Sequence, residues 1–353
     1  MSNTIAFMKY NSIENSYRQA FLDKCAFAVG NETLVAVEKI HGANFSFVLT
    51  ETETRVAKRS GLIEDGETFY GHTRFYNRYE PTVRTIFNMI QDIYPTLTQM
   101  SVYGEVFGGR YQGVTNTGAK QVQSGMNYHP DNEFMVFDIR VEFQNGVSTY
   151  IPFVDIQELL EDANFMEPDV TKHLKTAPVI AIGTLEELIA INPLFYTKVP
   201  SAYGIDENHP RTDADYGEGF VIRGYNQDYR TDNGERVILK QKNARFNEKE
   251  KEVKIKAAVT LDDETQAKLD KICSYINKNR LDAVVSKIGT ITQKDFGRVQ
   301  GELVRDALED FEKDEGYKLS NDESWGLLAK RVGSHAAYEI RLGWLNLIDS
   351  TAA

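Results

Sequence analysis

Cysteine and long apolar runs are both scarce in this chain. Only two cysteines, Cys25 and Cys273, occur among 353 residues, and they lie in unrelated contexts. They offer no disulfide framework and no CxxC pair, which favours a reducing, intracellular setting. No segment approaches the roughly 20 apolar residues of a membrane span, and residues 1–10 lack the basic and apolar regions of a secretion signal. These absences predict a cytoplasmic protein without a membrane segment.

Positive charge is also in short supply, because 40 Lys and Arg residues face 52 Asp and Glu residues, for a net charge of −12. This balance argues against a non-specific nucleic-acid coat protein. The distribution is uneven, since residues 240–256 carry seven Lys or Arg against three Glu. That run is either a solvated face or a local basic surface with which an enzyme grips nucleic acid.

The pattern of apolar residues changes near residue 261. Before it, short apolar runs bounded by glycine predict strands, with helices expected over residues 11–27 and 80–99. After it, apolar residues recur at helical spacing up to the C-terminal end of the sequence. We therefore predict an α+β fold, with antiparallel sheets and flanking helices over residues 1–255 and a small all-α domain over residues 256–353.

One lysine lies at the end of an apolar run. Residues 35–47 read VAVEKIHGANFSF, and they predict a hairpin with Lys39 at its mouth and a glycine turn at Gly42. Strand alternation would place Val35, Val37, Lys39 and His41 on one face. Partial burial favours the neutral, nucleophilic form of a lysine. The alternative interpretation is a lysine whose stem packs at a strand end while its amine stays in water.

Five predicted strands carry polar groups that do not suit an apolar core. These groups are Lys39 with His41, Arg59, Glu105, Glu218, and Lys240 with Lys242. Each of them alone is explained by a surface charge, an edge residue or a structural ion pair. Together they place two carboxylates and several cations around a nucleophilic lysine. This set suits attack by the lysine on a nucleoside triphosphate, with cations on the phosphates and a carboxylate on Mg²⁺. A P-loop is excluded, because residues 113–120 carry their lysine one place too late.

Six short motifs occur in a fixed order along the chain. They read KIHGAN at 39–44, KRSG at 58–61, YGEVFG at 103–108, FMVFDI at 134–139, EGFVIRG at 218–224 and ILKQKN at 238–243. The series resembles that of the covalent nucleotidyltransferase superfamily. The first motif has the KxHGxN form of the RNA ligase 2 family, the phage-type nick-sealing enzymes related to kinetoplastid RNA-editing ligases. DNA ligases and capping enzymes carry KxDG instead. The later SKIG (286–289) and KDFG (294–297) are similar to the helical tail of the phage enzymes.

The resemblance implies a role for individual residues. Lys39 would become linked to AMP with the support of His41, and Lys240 and Lys242 would contact the α-phosphate. Glu218 would help to bind Mg²⁺ or Mn²⁺. The implied AMP-binding set further contains Glu38, Ile40, Asn44, Arg59, Glu105 for the ribose and Phe137 for stacking on the adenine. Asp138 is either functional or positions its strand.

The implied activity is that of an ATP-dependent RNA ligase. Such an enzyme joins 3′-hydroxyl and 5′-phosphate RNA ends, here at nicks in duplex RNA, through a lysyl-AMP and an RNA-adenylate intermediate. The resemblance further implies an ATP-grasp-like nucleotidyltransferase domain over residues 1–255 and the host cytoplasm if the gene belongs to a phage. For the oligomeric state, a monomer is the simplest expectation. Residues 108–132 look more like the loop of the editing ligases than like that of the shortest phage enzymes.

Three alternatives are weighed beside the ligase. A DNA ligase or capping enzyme shares the motif series but lacks the KxHG form. A catalytically silent RNA-binding protein would not need a desolvated lysine opposite two carboxylates, an arrangement that costs stability. A small-molecule kinase would need a P-loop or a glycine-rich kinase loop, and neither is found in the sequence.

Overall fold

The computed structural model describes residues 5–114, 117–205, 210–246, 261–341 and 343–351. The chain divides into two compact units, Met1–Arg245 and Phe246–Ala352. The predicted domain boundary between residues 255 and 256 lies outside the described residues, as does most of the basic run that ends at Lys256.

The first unit contains the strands and several helices. Its strands are β1 (Glu14–Asn15), β2 (Leu34–Glu38), β3 (Ala43–Leu49), β4 (Thr54–Lys58), β5 (Gly61–Leu62), β6 (Leu97–Arg110), β7 (His129–Phe143), β8 (Ser148–Tyr150), β9 (Val179–Gly183), β10 (Gly219–Gly224) and β11 (Ile238–Lys242). Its helices are α1 (Gln19–Val29), α2 (His72–Ile93), α3 (Phe153–Met166), α4 (Leu185–Ile189) and α5 (Val199–Ala202). Apolar side chains of α2 and α3 pack on β3, β6 and β7 to form the largest core of this unit.

The strands form two sheets. One has the order β1-β11-β10-β2-β9 and is antiparallel apart from the parallel pair of β1 and β11. The other has the order β5-β4-β3-β6-β7-β8 and is antiparallel throughout. The predicted α+β fold with antiparallel sheets and flanking helices is therefore confirmed.

The prediction of a hairpin around Lys39 is wrong. Strand β2 pairs with β10 and β9, whereas β3 pairs with β4 and β6 in the other sheet. Both edges of β2 and both edges of β3 are thus occupied by other strands, so the two strands do not pair with each other. The chain therefore crosses from one sheet to the other over residues 39–42.

Both predicted helices differ from the observed ones at their ends. Helix α1 begins at Gln19, not at residue 11, because Glu14 and Asn15 pair with β11. Helix α2 runs from His72 to Ile93, because Phe75 and Tyr79 extend the buried stripe towards the N-terminal end. Tertiary contacts thus override the local helical spacing at the N-terminal ends of both helices.

The second unit is helical wherever the structure describes it. It contains α6 (Asp263–Cys273), α7 (Lys278–Ile288), α8 (Phe296–Glu315), α9 (Trp325–Arg341) and α10 (Trp344–Thr351). Their apolar faces form a core of their own, in agreement with the helical pattern after residue 261. Within the described parts of the chain, no helix combines the length and apolarity that crossing a bilayer demands.

Candidate active site

Glu218 is a buried carboxylate in contact with two lysines and a histidine. Its oxygens lie 2.8 Å from Nζ of Lys39, 3.0 Å from Nζ of Lys242 and 3.3 Å from Nδ1 of His41. Burial alone would oppose ionisation, but Lys39, Lys242 and the hydrogen bond of His41 outweigh it and hold the pKa of Glu218 well below its usual value. Glu218 is therefore an ionised carboxylate that positions Lys39, the candidate nucleophile.

Close backbone packing brings these side chains together. Lys39 follows β2 directly, and its N–H donates to the carbonyl oxygen of Gly219 over 2.8 Å. Gly219 pairs with Lys242 of β11 and has a φ of +142°. A Cβ on Gly219 would overlap the carbonyl oxygen of Gln241, so only glycine allows this approach. Lys240 lies two residues earlier on β11, opposite Val221.

Glu105 provides a second carboxylate on β6. It pairs with Asn44 of β3, which follows the turn that carries the lysine. Burial raises the pKa of Glu105 to about 8 against the pull of the Lys39 charge, and the charge of Glu218 adds to the increase. A Cβ on Gly42 would overlap the carbonyl oxygen of Val106 on β6. Glycine at this position therefore allows the lysine turn to lie against the strand that carries Glu105.

Glu38 and Ile40 flank the lysine but are held by the protein itself. The carboxylate of Glu38 accepts the hydroxyl proton of Thr197 at 2.5 Å and the N–H of Lys198 at 2.8 Å. Burial raises the pKa of Glu38 to about 7, although these hydrogen bonds lower it. Ile40 is 5% exposed. Both residues therefore fix the segment around Lys39, and their predicted contact with AMP stays a prediction.

Arg59 connects the KRSG motif to the N-terminal segment. Its guanidinium donates to the carbonyl oxygen of Tyr10 over 2.7 Å, and its charge lowers the pKa of Glu105 in opposition to burial. Phe137 also contacts the ring of Tyr10, at a centroid distance of 5.0 Å. Arg59 and Phe137 therefore both contact Tyr10, a residue that the motifs do not include.

Asp138 is fully buried in an ion network. Its carboxylate contacts the guanidinium of Arg223 at 3.0 Å and that of Arg236, and it accepts the hydroxyl proton of Tyr10 at 2.7 Å. These partners come from β10, from the segment before β11 and from the N-terminal segment. The contacts favour the interpretation that Asp138 positions its strand.

Tyr128 is a buried residue of the site that sequence reasoning missed. Its hydroxyl accepts the backbone N–H of His41 over 3.1 Å. Burial, followed by the negative charges of Glu38, Glu218 and Glu105, holds the pKa of this phenol well above its usual value. Tyr128 lies in the predicted loop over 108–132, where no periodic pattern distinguishes it. Only the YHPD sequence at 128–131, which looks like that of the editing ligases, could have drawn attention to it.

The same loop is also hydrogen-bonded to the segment that leads to Glu218. The side-chain amide of Asn127 donates to Asp215 at 3.0 Å, and its backbone N–H donates to the carbonyl oxygen of Ala214 at 2.8 Å. The side-chain amide of Gln123 donates to the carbonyl oxygen of Gly42 at 3.2 Å. One loop therefore contacts both the lysine turn and the approach to Glu218. The regular strands β6 and β7 extend to Arg110 and from His129, so the irregular part is shorter than predicted.

Comparison with known proteins identifies the class to which this fold and site belong. Residues 32–242, more than half of the chain, match the family model described as RNA ligase. The chain belongs to the RNA ligase family. Residues 259–337 match a second model, described as T4 RNA ligase 2 C-terminal, which narrows the assignment to the RNA ligase 2 branch. The resemblance drawn from the six motifs is confirmed.

Individual relatives show how far the likeness extends. The chain is 27% identical over 237 residues to the mitochondrial RNA-editing ligase 2 of Trypanosoma brucei brucei, which covers 62% of this chain and 55% of that protein. It is 25% identical over 340 residues to RNA-editing ligase 1 of the same organism, covering 79% of this chain and 70% of that protein. A structure of Naegleria gruberi RNA ligase with PPi shares 14% identity at a TM-score of 0.41, covering 68% of this chain and 57% of that chain. The chain thus spans little more than half the length of two of these three relatives.

Proposed function

We propose that this protein is an ATP-dependent RNA ligase that joins 3′-hydroxyl and 5′-phosphate RNA ends. The observation that carries the proposal is the contact between Lys39 and the buried, ionised Glu218, with Lys242 and His41 on the same carboxylate. Membership of the RNA ligase family supports the choice of RNA over other phosphate substrates. The two trypanosome relatives are named as RNA-editing ligases, which supports the same choice.

In the first proposed step, Nζ of Lys39 attacks the α-phosphorus of ATP. A nitrogen–phosphorus bond forms as the bond to pyrophosphate breaks and the amine releases a proton to solvent, so that AMP becomes attached to the lysine. Glu218 orients the amine, and Lys240 and Lys242 stabilise the charge on the α-phosphate. Binding of the nucleotide is assigned to Phe137 for the adenine, Glu105 for the ribose, and Glu38, Ile40, Asn44 and Arg59 for the remaining contacts.

The residues suit a divalent cation, Mg²⁺ or Mn²⁺, that is bound together with substrate. Across the residues the structure describes, no three His, Cys, Asp or Glu side chains form a metal cage. Mg²⁺ is usually held by one or two carboxylates together with substrate phosphates, and Glu218 supplies such a carboxylate. When bound, the cation would neutralise charge on the triphosphate.

In the later proposed steps, AMP passes to the 5′-phosphate, and the 3′-hydroxyl then attacks this activated end and releases AMP. We propose a nick in duplex RNA as the substrate, because the motif series resembles that of the nick-sealing ligases. The enzyme would recognise the duplex by its shape and 2′-hydroxyls. We also propose a monomer that works in the cytoplasm, including that of a host cell. Both cysteines are free and buried, which supports a reducing location.

Sealing of a labelled nicked RNA duplex with ATP and Mg²⁺ tests the proposal. We expect the protein to convert the nicked strand to full length, and the Lys39→Ala variant to do so only when the 5′ end is supplied already adenylated. The matched control is Lys24→Ala, which removes a lysine that is 46% exposed and paired with Glu235. Equal sealing of unadenylated nicks by Lys39→Ala and by the unmodified protein would contradict the role of Lys39.

A further inference from the structure

Two tyrosines and one arginine form a stack at the surface of the first unit. The rings of Tyr196 and Tyr216 are nearly parallel, with an interplanar angle of 14° and a centroid distance of 4.6 Å. The guanidinium of Arg211 lies over the ring of Tyr196, 4.7 Å from its centroid. Tyr196 is 44% exposed. We call these three residues the aromatic platform.

The backbone that carries the two tyrosines is hydrogen-bonded and lies next in sequence to residues of the candidate active site. Tyr196 and Tyr216 are bridged as antiparallel partners. The bridge is closed by hydrogen bonds from the N–H of Thr197 to Asp215 over 2.8 Å and from the N–H of Gly217 to Phe195 over 2.9 Å. Tyr216 precedes Glu218 by two residues. Tyr196 precedes Thr197, whose hydroxyl holds Glu38.

Packing of the protein core does not account for this arrangement. Phe195, the neighbour of Tyr196, packs against the core of the five-stranded sheet, whereas Tyr196 turns outward and neither tyrosine belongs to that cluster. Flat groups that stack at the surface beside an active site are the usual means of holding unpaired or terminal nucleotides. Such stacking does not depend on base identity, because every base has a π face.

The two arginines at the aromatic platform oppose the charge of the nearby Asp213 carboxylate and suit a polyanion. The net charge of the chain is −12, so an RNA strand has to be attracted by local cations. Arg211 supplies one at the stack. Arg245 supplies another, since its guanidinium donates to the carbonyl oxygen of Asp213 on the segment between Arg211 and Tyr216. A base on the rings and a phosphate on these guanidinium groups would be held together.

We propose that the aromatic platform of Arg211, Tyr196 and Tyr216 binds a nucleotide of the RNA strand next to the end that is joined. This inference rests on the proposed function and deepens it, because it assigns a contact with the RNA that is separate from the lysine and its carboxylates. The aromatic platform is a binding surface for RNA and takes no part in the attack of Lys39 on ATP.

The test compares Tyr196→Ala with Tyr196→Phe, which keeps the ring, and with Tyr94→Ala, which removes a tyrosine that is 54% exposed elsewhere. We expect Tyr196→Ala to raise the KM for nicked RNA roughly 5- to 150-fold, the range that loss of one base–aromatic stack implies. Transfer of AMP from ATP to the protein should match that of the other two variants. A fluorescent base analogue, placed in turn at each position near the nick, should be quenched by the unmodified protein and by Tyr196→Phe, but not by Tyr196→Ala.

The possible outcomes separate this inference from the proposed function. If the unmodified protein neither accepts AMP nor seals RNA, the proposed function fails first. If it seals RNA but Tyr196→Ala has an unchanged KM and an unchanged quenching pattern, the aromatic platform does not bind RNA. If Tyr196→Ala also loses AMP transfer, the residue acts through the fold, and Arg211→Ala, which leaves both rings in place, decides the question. A raised KM for RNA with AMP transfer retained in Arg211→Ala supports the inference, and any other result overturns it.

Discussion

Replacement of Asp138 by alanine would leave two buried guanidinium groups without the carboxylate that they share. Arg223 and Arg236 have side chains that are 3% and 2% exposed, and both contact this carboxylate. The hydroxyl of Tyr10 would lose its acceptor as well. The change therefore tests whether Asp138 acts through the fold or through the reaction.

The loss of unfolding free energy in Asp138→Ala depends on the contacts that Arg223 and Arg236 keep. Arg236 keeps its contact with Asp228, and Arg223 keeps the carbonyl oxygens of Phe137 and Ile151. Breaking a buried ion pair by removing one partner costs about 3–5 kcal/mol of unfolding free energy. For a unit of this size each kcal/mol shifts the melting temperature by about 2–4 °C, so we expect a decrease of roughly 6–20 °C.

Thermal unfolding followed by circular dichroism measures this change. The control is Glu64→Ala, which removes a partner of Arg55 in a pair whose glutamate side chain is 72% exposed; such pairs contribute less than about 1 kcal/mol. Transfer of AMP to the protein should persist in Asp138→Ala well below its melting temperature. A melting temperature equal to that of the control would refute the account of the ion network, and a stable variant that cannot accept AMP would assign Asp138 to the reaction.

Three further variants test the geometry around the lysine turn. Gly42→Ala should reduce AMP transfer on the order of 100-fold, because the added Cβ would overlap the carbonyl oxygen of Val106 and displace the turn; Gly61→Ala, where a Cβ meets open space, is the control and should be active. Tyr128→Phe removes the acceptor of a backbone N–H in that turn, and it should lower the rate of AMP transfer about tenfold at saturating ATP with little change in the KM for ATP; an unchanged rate would show that the hydroxyl does not position the turn. Because burial raises the pKa of Glu105 from 4.5 to about 8, the folded protein holds a proton that the unfolded chain releases, so stability should fall as the pH rises through that window. Urea unfolding at several pH values should show that Glu105→Gln loses this part of the pH dependence, and an identical slope in both proteins would contradict the assignment.

The motif residues were predictable from sequence because each lies on or next to a strand with a clear apolar pattern. Lys39, Glu105, Glu218 and Lys242 are polar side chains at positions where such strands carry few polar residues, and the structure brings these side chains together. The division between a β-rich and a helical part was predictable for the same reason, since a change in periodicity is a local signal.

Strand partners were not predictable, because pairing is a non-local property. The apolar pattern of β2 and β3 is compatible with a hairpin as well as with two separate sheets, and only the observed pairing of all four strand edges with other strands excludes the hairpin. The partners of Asp138 were missed for the same reason, since Arg223 and Arg236 meet it through tertiary packing. Tyr128 lies in a glycine-rich loop without a period, so apart from the YHPD sequence no local pattern distinguishes it.

The central claim is that Lys39 carries AMP, and transfer of label from α-labelled ATP to the protein with Mg²⁺ tests it most directly. We predict a covalently labelled protein that is absent in Lys39→Ala, retained in Lys24→Ala and not formed from α-labelled GTP. The same label in Lys39→Ala, or no label in folded protein that has been freed of bound AMP, would contradict the claim.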